Sequence, residues 1–334
     1  MTTDDALLFI DANKYLDLYR TKTGWLSLAS IREQADHIFV TQTVVDEVKR
    51  NTIKETVNFL TNHFEELPLV NTNLPDQLFG ATEEQSKTIQ RQVNEMRQAI
   101  KQVNTELRTL KMELMKKVGQ STDEVSTALA PIFAKAVRHS DTQLQKAKAR
   151  KERGDPPGKK TDPIGDQLNW EQILSRFVGK TKLWIVTRDS DYGCMYGERG
   201  AETGFLNLLL YDELRKVFPS AEAFLFENVP DAIQHFAAVT GVKADELPTA
   251  EQREEIKKEE EQIREEETLP PPRPLDWVFT GTDAALAAHH RQMQLRRQRA
   301  YLDMEMVNRG MLLGVQHPSV QHPSVQHPTA EPEA

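Results

Sequence analysis

The stretch LLFID (residues 7–11) is an unbroken apolar run that ends on a carboxylate. Such a run is typical of a parallel strand that is buried on both faces. The run KLWIVT (182–187) has the same character and leads into Asp189 and Asp191. In open α/β sheets the functional crevice lies outside the carboxyl ends of the strands. These acids are therefore predicted to line it.

Two shorter apolar runs, at 37–40 and 223–226, complete a predicted set of four strands. The apolar stretch 204–217, just before the last of them, is predicted to be a helix. Strands that alternate with helices indicate βαβ units. The predicted fold class is α/β, a three-layer α/β/α sandwich with a central parallel sheet.

Two more acids are predicted to reach the same sheet edge from helix starts. Thr43 resembles an N-cap with Asp46 as its capping-box partner, which opens a helix over 44–64 and directs Glu47 toward the N-terminal end of that helix. Asp166 follows Gly165 at the start of another helix. A single acid at a helix start usually serves only the helix dipole. Only the combination of these acids at one sheet edge therefore indicates a functional site.

Carboxylates that are brought together repel one another, so a cluster of them needs cations. Oxygen ligands suit Mg²⁺ or Mn²⁺, and Asn13 adds an amide ligand close to Asp11. Two such ions about 4 Å apart activate a water and stabilise the leaving oxygen of an in-line displacement. The pattern predicts a metal-dependent phosphodiesterase site.

The chain of 334 residues has a formal net charge of -9, which at first argues against a nucleic-acid substrate. The Glu-rich stretch 251–267 alone carries -5, and the remaining -4 includes the candidate ligands themselves. The negative net charge of the chain therefore does not exclude a nucleic-acid substrate. The stretch itself is predicted to be a solvated helix or disordered.

A heptad pattern interrupts the alternation of strands and helices. Apolar residues recur at alternating spacings of four and three from Ile89 to Leu114, and a second helical stretch follows from about 122 to 150. Gly119 and Ser121 separate the two. The sequence predicts an inserted helical hairpin over 82–150. Two interpretations stay open, a hairpin that packs on the sandwich and a coiled coil that binds a second copy or a partner protein.

Basic residues lead from this insertion to Asp166. Basic side chains next to a metal site would hold the phosphates of a substrate electrostatically. The alternative is an exposed loop whose charges serve only solubility. The candidate substrate-binding residues are Lys146, Lys148, Arg150, Lys151, Arg153, Lys159 and Lys160.

Four motifs in this order resemble the PIN-domain nuclease family. They are LFIDAN (8–13), VDEV (45–48), GD with WEQIL (165–174) and VTRD (186–189). The segment PPG (156–158) is similar to a bacterial PIN-like branch that carries a long helical insertion. The resemblance covers roughly residues 5 to 230. The third acid departs from the family pattern, because it comes more than a hundred residues after the second.

The resemblance implies a Mg²⁺- or Mn²⁺-dependent endonuclease that hydrolyses RNA, less often DNA. Asp11, Glu47, Asp166 and Asp189 would be its catalytic, metal-binding acids, and Asp191 would be a further ligand. Asn13 and Thr187 match auxiliary polar positions that flank these acids. A role as a toxin, a defence effector or an RNA-processing enzyme stays open.

The predicted organisation is a PIN-like nuclease domain at 1–240, a charged, Pro-rich linker at 241–274, a helical segment at 275–314 and a disordered repeat tail at 315–334. The only cysteine, Cys194, is expected in a loop and excludes an intrachain disulfide, which favours a reducing, cytoplasmic location. No apolar run approaches the roughly 18 residues of a membrane span.

Two other classes of protein share part of this pattern. A phosphoaspartate phosphohydrolase also begins with an Asp after a buried strand, but it needs an acid two residues later, where this chain has Asn13. A non-catalytic interaction or regulatory protein would keep the fold and act through the hairpin.

Overall fold

A computed structural model describes residues 5–69, 83–158, 163–197 and 203–268. Within these ranges six strands form one mixed sheet in the order β2-β1-β3-β6-β5-β4. The strands are β1 (Ala6–Ile10), β2 (Ile38–Phe39), β3 (Lys182–Val186), β4 (Gly193–Tyr196), β5 (Thr203–Leu206) and β6 (Glu222–Phe226).

The strands predicted from apolar runs form the parallel part of the sheet. β1 lies between β2 and β3, and β6 pairs with the other side of β3, all in parallel. β1 is buried along its whole length, and β3 is buried after its first residue. Helices flank this sheet, so the predicted α/β sandwich is confirmed.

The sheet also has an antiparallel hairpin, which the apolar runs of the sequence do not predict. β4 pairs with β5, and β5 pairs with β6 at Gly204 opposite Leu225. A Cβ on Gly204 would collide with the carbonyl oxygen of Leu225, so the close approach of the two backbones requires glycine. The prediction of one helix over 204–217 is therefore wrong at its start. Cys194 lies in β4, not in a loop, and is exposed.

Helices make up most of the rest of the described chain. α7 and α9 both contact the central strand β1, and α1 packs against α3. The helices are α1 (Ala12–Arg20), α2 (Gly24–Glu33), α3 (Gln42–His63), α4 (Glu83–Gly119), α5 (Glu124–Phe133), α6 (Asp141–Arg153), α7 (Gly165–Phe177), α8 (Leu208–Val217), α9 (Val229–Thr240) and α10 (Ala250–Thr268).

The insertion is not a simple two-helix hairpin. Its first arm is the single helix α4, but the return arm is divided into α5 and α6. Between them Val137 forms a parallel bridge with Thr41, beside the end of β2. Leu129 and Ile132 of α5 are buried in the main hydrophobic core. The return arm is therefore part of the sandwich, because its apolar side chains fill that core.

Helix α10 corrects the expectation that the Glu-rich stretch is solvated or disordered. Ile256 is buried, and the Glu259 carboxylate accepts hydrogen bonds from the backbone N–H groups of Lys22 and Thr23 at 2.6 and 2.9 Å. The Glu260 carboxylate accepts a bond from the Lys14 ammonium at 2.5 Å. Lys14 is 1% exposed, so this acid helps to neutralise a buried cation.

Replacing Glu260 with Gln should therefore lower the free energy of unfolding by about 1–3 kcal/mol, because the buried Lys14 ammonium would keep only Asp17 as a charged partner. Chemical denaturation of the full chain measures the change. Glu255→Gln is the matched control, since Glu255 lies on the same helix and is exposed. Equal stability of the two variants would contradict a docked α10.

The chain divides into two units, residues 1–269 and 270–334. The prolines of the predicted linker at 270–274, the predicted helical segment 275–314 and the repeat tail 315–334 all lie outside the described residues. In the part of the chain that the structure describes, no helix is both long enough and apolar enough to span a membrane.

Candidate functional site

Asp11 lies at the carboxyl end of β1, where it is the N-cap of α1. One carboxylate oxygen accepts a hydrogen bond from the backbone N–H of Ala12 at 2.8 Å. The other accepts bonds from the Thr187 hydroxyl at 2.7 Å and from the Asn13 amide at 2.8 Å. Asp11 is 4% exposed, so these donors hold a buried carboxylate in one orientation.

Thr187 joins the ends of the two central strands. Its hydroxyl donates to Asp11 and accepts from the Asn13 amide at 3.1 Å and from the backbone N–H of Asp189 at 3.0 Å. The Asp189 carboxylate in turn accepts a bond from the backbone N–H of Asp191 at 3.0 Å. Asn13 and Thr187, predicted as auxiliary residues, therefore connect Asp11 to the turn that carries Asp189 and Asp191.

Glu47 comes from the second turn of α3 and Asp166 from the first turn of α7, and a hydrogen bond links the starts of these two helices. α3 begins one residue after its N-cap Thr41, and the Thr41 hydroxyl donates to the Asn169 side chain of α7 at 2.6 Å. A Cβ built on Gly165 would lie 3.9 Å from a Glu47 carboxylate oxygen. The two helix starts are therefore neighbours, and each presents an acid.

The predicted helix cap of α3 needs correction. Thr41, not Thr43, is the N-cap, and its hydroxyl accepts a hydrogen bond from the backbone N–H of Val44 at 3.1 Å. Asp46 is exposed and accepts a bond from the Gln42 amide at 2.8 Å, so it does not close a capping box. The choice of Glu47 over Asp46 as the inward-facing acid agrees with this geometry.

Burial and mutual repulsion raise the pKa values of the carboxyl groups in this cluster. Burial raises the pKa of Asp11 to about 7 against its hydrogen bond from Thr187, and the charge of Glu47 adds to the increase. Burial also raises the pKa of Asp166 to about 8, reinforced by Asp11, Asp189, Glu47 and Asp191. The pKa of Glu47 is raised by burial and by Asp189, and Arg50 opposes the increase. All five predicted acids thus lie within electrostatic range of one another.

The side chains are not arranged in contact with a metal ion. In the described part of the chain, no three Asp, Glu, His or Cys side chains are close enough to hold one as they stand. The donor set itself fits a hard divalent cation, because it consists of carboxylates that a positive charge would relieve.

Tyr192 lies against the same acids and was not predicted as part of the site. Its side chain is fully buried, and its hydroxyl has no hydrogen-bond partner among the described residues. Burial and then the charges of Asp166, Asp11, Asp189 and Glu47 raise its pKa well above the usual value. The sequence signal was its position directly after Asp191. Its buried hydroxyl is therefore a hydrogen-bond donor beside four carboxylates.

The predicted basic residues have different environments. Lys146, Lys148 and Arg153 are exposed, and Arg153 pairs with Asp155 at 2.6 Å. Lys151 is half-buried, while Lys159 and Lys160 lie outside the described residues.

Arg150 corrects the expectation that it contacts substrate. It is 2% exposed, and its guanidinium donates to the carboxylates of Glu171 and Glu213 at 3.0 and 2.6 Å. It also donates to the carbonyl oxygen of Pro156 at 2.7 Å. Arg150 therefore joins three elements of the interior and has no face left for a phosphate.

A family model described as PIN domain matches residues 8–192, which is more than half of the chain. The chain belongs to the PIN-domain family. The match contains all five acids and the inserted helices, and it ends before β4, β5, β6 and helices α8 to α10. No curated protein and no solved structure matches the chain. PIN domains have a nuclease fold and generally depend on divalent metal ions, so the family agrees with the chemistry of the acid cluster.

Proposed function

We propose that this PIN domain is a metal-dependent endoribonuclease. The observation that carries the proposal is the convergence of Asp11, Glu47, Asp166 and Asp189 at the carboxyl edge of the sheet, where burial and mutual charge raise the pKa values of Asp11, Glu47 and Asp166. Such a cluster is costly for stability unless it binds cations. Its catalytic and metal-binding roles are our inference.

Each residue of the site has a proposed role that agrees with its contacts. Asp11, Glu47, Asp166 and Asp189 would hold Mg²⁺ or Mn²⁺, with Asp191 as a further ligand. The ions, when bound, would supply an activated water and charge stabilisation at the phosphate. Asn13 and Thr187 orient Asp11 through hydrogen bonds of 2.8 and 2.7 Å. The Tyr192 hydroxyl would donate a hydrogen bond within the loaded site.

RNA is the substrate that we favour, and DNA is the alternative of the same chemistry. Lys146, Lys148, Lys151 and Arg153 of α6, which packs against α7, would hold phosphates, and Lys159 and Lys160 remain candidates for the same role. Binding through such side chains weakens as salt rises, because each neutralised phosphate releases counterions. We further propose a cytoplasmic enzyme that acts as a toxin, in defence or in RNA processing.

Cleavage of generic RNA and of single-stranded DNA in the presence of Mn²⁺ tests the proposal. We expect RNA to be cut by the wild type and neither substrate to be cut by Asp11→Asn or Asp189→Asn. Asp46→Asn is the control, because Asp46 adjoins Glu47 in sequence but is exposed. Cleavage that persists unchanged in both site variants would rule out this active site.

A second candidate is an interaction protein that acts through the insertion. The observation in its favour is a row of exposed apolar side chains along α4, with Met96 52% exposed and Leu110 44% exposed. This role does not exclude the first. A wild-type protein that lacks nuclease activity with every divalent cation tried, yet still associates through α4, would favour it.

A further inference from the structure

The exposed apolar side chains of α4 are spaced as in a coiled coil. Ile89, Met96, Val103 and Leu110 occupy one heptad position and are 46, 52, 40 and 44% exposed. The alternating core position holds Val93, Ile100, Leu107 and Leu114, which are half-buried. We call these eight residues the α4 seam. An apolar repeat of 3.5 residues follows a helix only where a partner helix supercoils around it.

The described packing of α4 covers one core position of this seam in part and leaves the other, that of Ile89 and Met96, exposed. Near its C-terminal end α4 meets α3, where Gly119 lies close to Ile53. Halfway along, Asn104 exchanges hydrogen bonds with the backbone of Leu67 at 2.8 and 2.9 Å. Gly119 lies outside the seam, and Asn104 occupies an e position on its flank, so these contacts leave the exposed core position of Ile89, Met96, Val103 and Leu110 uncovered. With 37 residues, α4 is roughly 55 Å long at 1.5 Å per residue.

We propose that the α4 seam binds the α4 seam of a second copy of this chain in a parallel coiled coil. Four consecutive heptads of apolar residues form a core that is complementary to itself, because each knob faces the same residue type on the partner. The surface is also long enough for a stable association. This proposal does not depend on the nuclease activity.

Charges that flank the seam favour the second copy and the parallel direction. In a parallel pair each g residue meets the e residue five positions later in the partner. Glu106 occupies a g position and Lys111 an e position, so two symmetric ion pairs form across the dimer. An antiparallel pair would bring e beside e and g beside g, and Glu106 would not meet Lys111. A parallel pair also places Gln92 beside Arg97.

Size-exclusion chromatography with light scattering of the full chain tests the association. We expect about twice the chain mass of 38.1 kDa. Met96→Glu should raise the dissociation constant at least about 100-fold, since it buries two unpaired carboxylates in the core. Met112→Glu is the matched control, because Met112 lies on the same helix outside the seam and is 60% exposed. Cooperative thermal unfolding would show that both variants are folded.

Disulfide cross-linking tests the direction. Met96→Cys in a Cys194→Ser background should yield a covalent dimer with oxidised glutathione, because only a parallel pair in register places the two introduced thiols face to face. A monomeric wild type at about 100 µM, where even weak coiled coils of this length associate, would overturn the proposal. A dimer that tolerates Met96→Glu, or that fails to cross-link, would overturn it as well.

Discussion

Replacing Asp166 with Asn should stabilise the metal-free protein and at the same time lower cleavage by about a hundredfold or more. The gain in stability and the loss of activity come from the same carboxylate. Without a cation the Asp166 carboxylate is penalised by its burial and then by repulsion from Asp11, Asp189, Glu47 and Asp191, and the neutral amide relieves both. The same replacement takes away a proposed metal ligand. A residue that merely supported the fold would lose stability and activity together.

The pH dependence of stability gives a second readout for Asp166. Its pKa is raised from 3.8 to about 8, so the folded protein holds this proton where the unfolded chain has released it. The stability of the metal-free wild type should therefore fall as pH rises from about 4 to about 8, and Asp11, with its pKa of about 7, acts in the same direction. Asp166→Asn should flatten this decline.

Thermal unfolding at pH 5 and pH 8, with and without Mn²⁺, measures both effects. Each kcal/mol of relieved repulsion raises the melting temperature of a domain of this size by about 2–4 °C. Mn²⁺ should stabilise the wild type most at pH 8, where it no longer competes with protons, and should stabilise Asp166→Asn less. Asp46→Asn should behave as the wild type. An Asp166→Asn variant that is less stable at pH 8 without metal would contradict the repulsive cluster.

The core strands and the acids at their ends were predictable from the sequence, because a strand that is buried on both faces consists of consecutive apolar residues. β1 and β3 are such runs, and Asp11 and Asp189 follow them in the chain. The β4–β5 hairpin was not predictable in this way. Its strands have four residues each and alternate between exposed and half-buried positions. Their pairing depends on Gly193 and Gly204, whose role appears only once the strands meet.

The partners of charged residues were not predictable from the sequence either. A Glu-rich helix has the same pattern whether it is solvated or docked, and the docking of α10 is decided by the buried Lys14, which is more than two hundred residues away in the chain. The same ambiguity affects Arg150, which belongs to a run of bases but points into the interior. Periodicity identifies an apolar face, whereas the partner of a charge is fixed only by the tertiary structure.

Arg150→Met should lower the free energy of unfolding by about 3–5 kcal/mol, the cost of breaking a buried ion pair by removing one partner. The Arg150 guanidinium lies between Glu171 of α7 and Glu213 of α8, and Glu213 also accepts a bond from the Trp170 indole at 2.7 Å. Met fills much of the volume of Arg but leaves the two carboxylates without their cation. Arg150→Lys should recover only part of the loss, since an ammonium cannot reproduce the forked contacts.

Lys146→Met is the matched control, because Lys146 lies one turn earlier on α6 and is exposed. It should change stability by less than about 0.5 kcal/mol and, under the proposed function, raise the KM for RNA. Chemical denaturation and cleavage kinetics below the melting range separate the two roles. If Arg150 bound phosphate, Arg150→Met would raise KM and leave stability unchanged. We expect the reverse, because a guanidinium that already bonds two buried carboxylates and a carbonyl oxygen has its charge neutralised inside the protein.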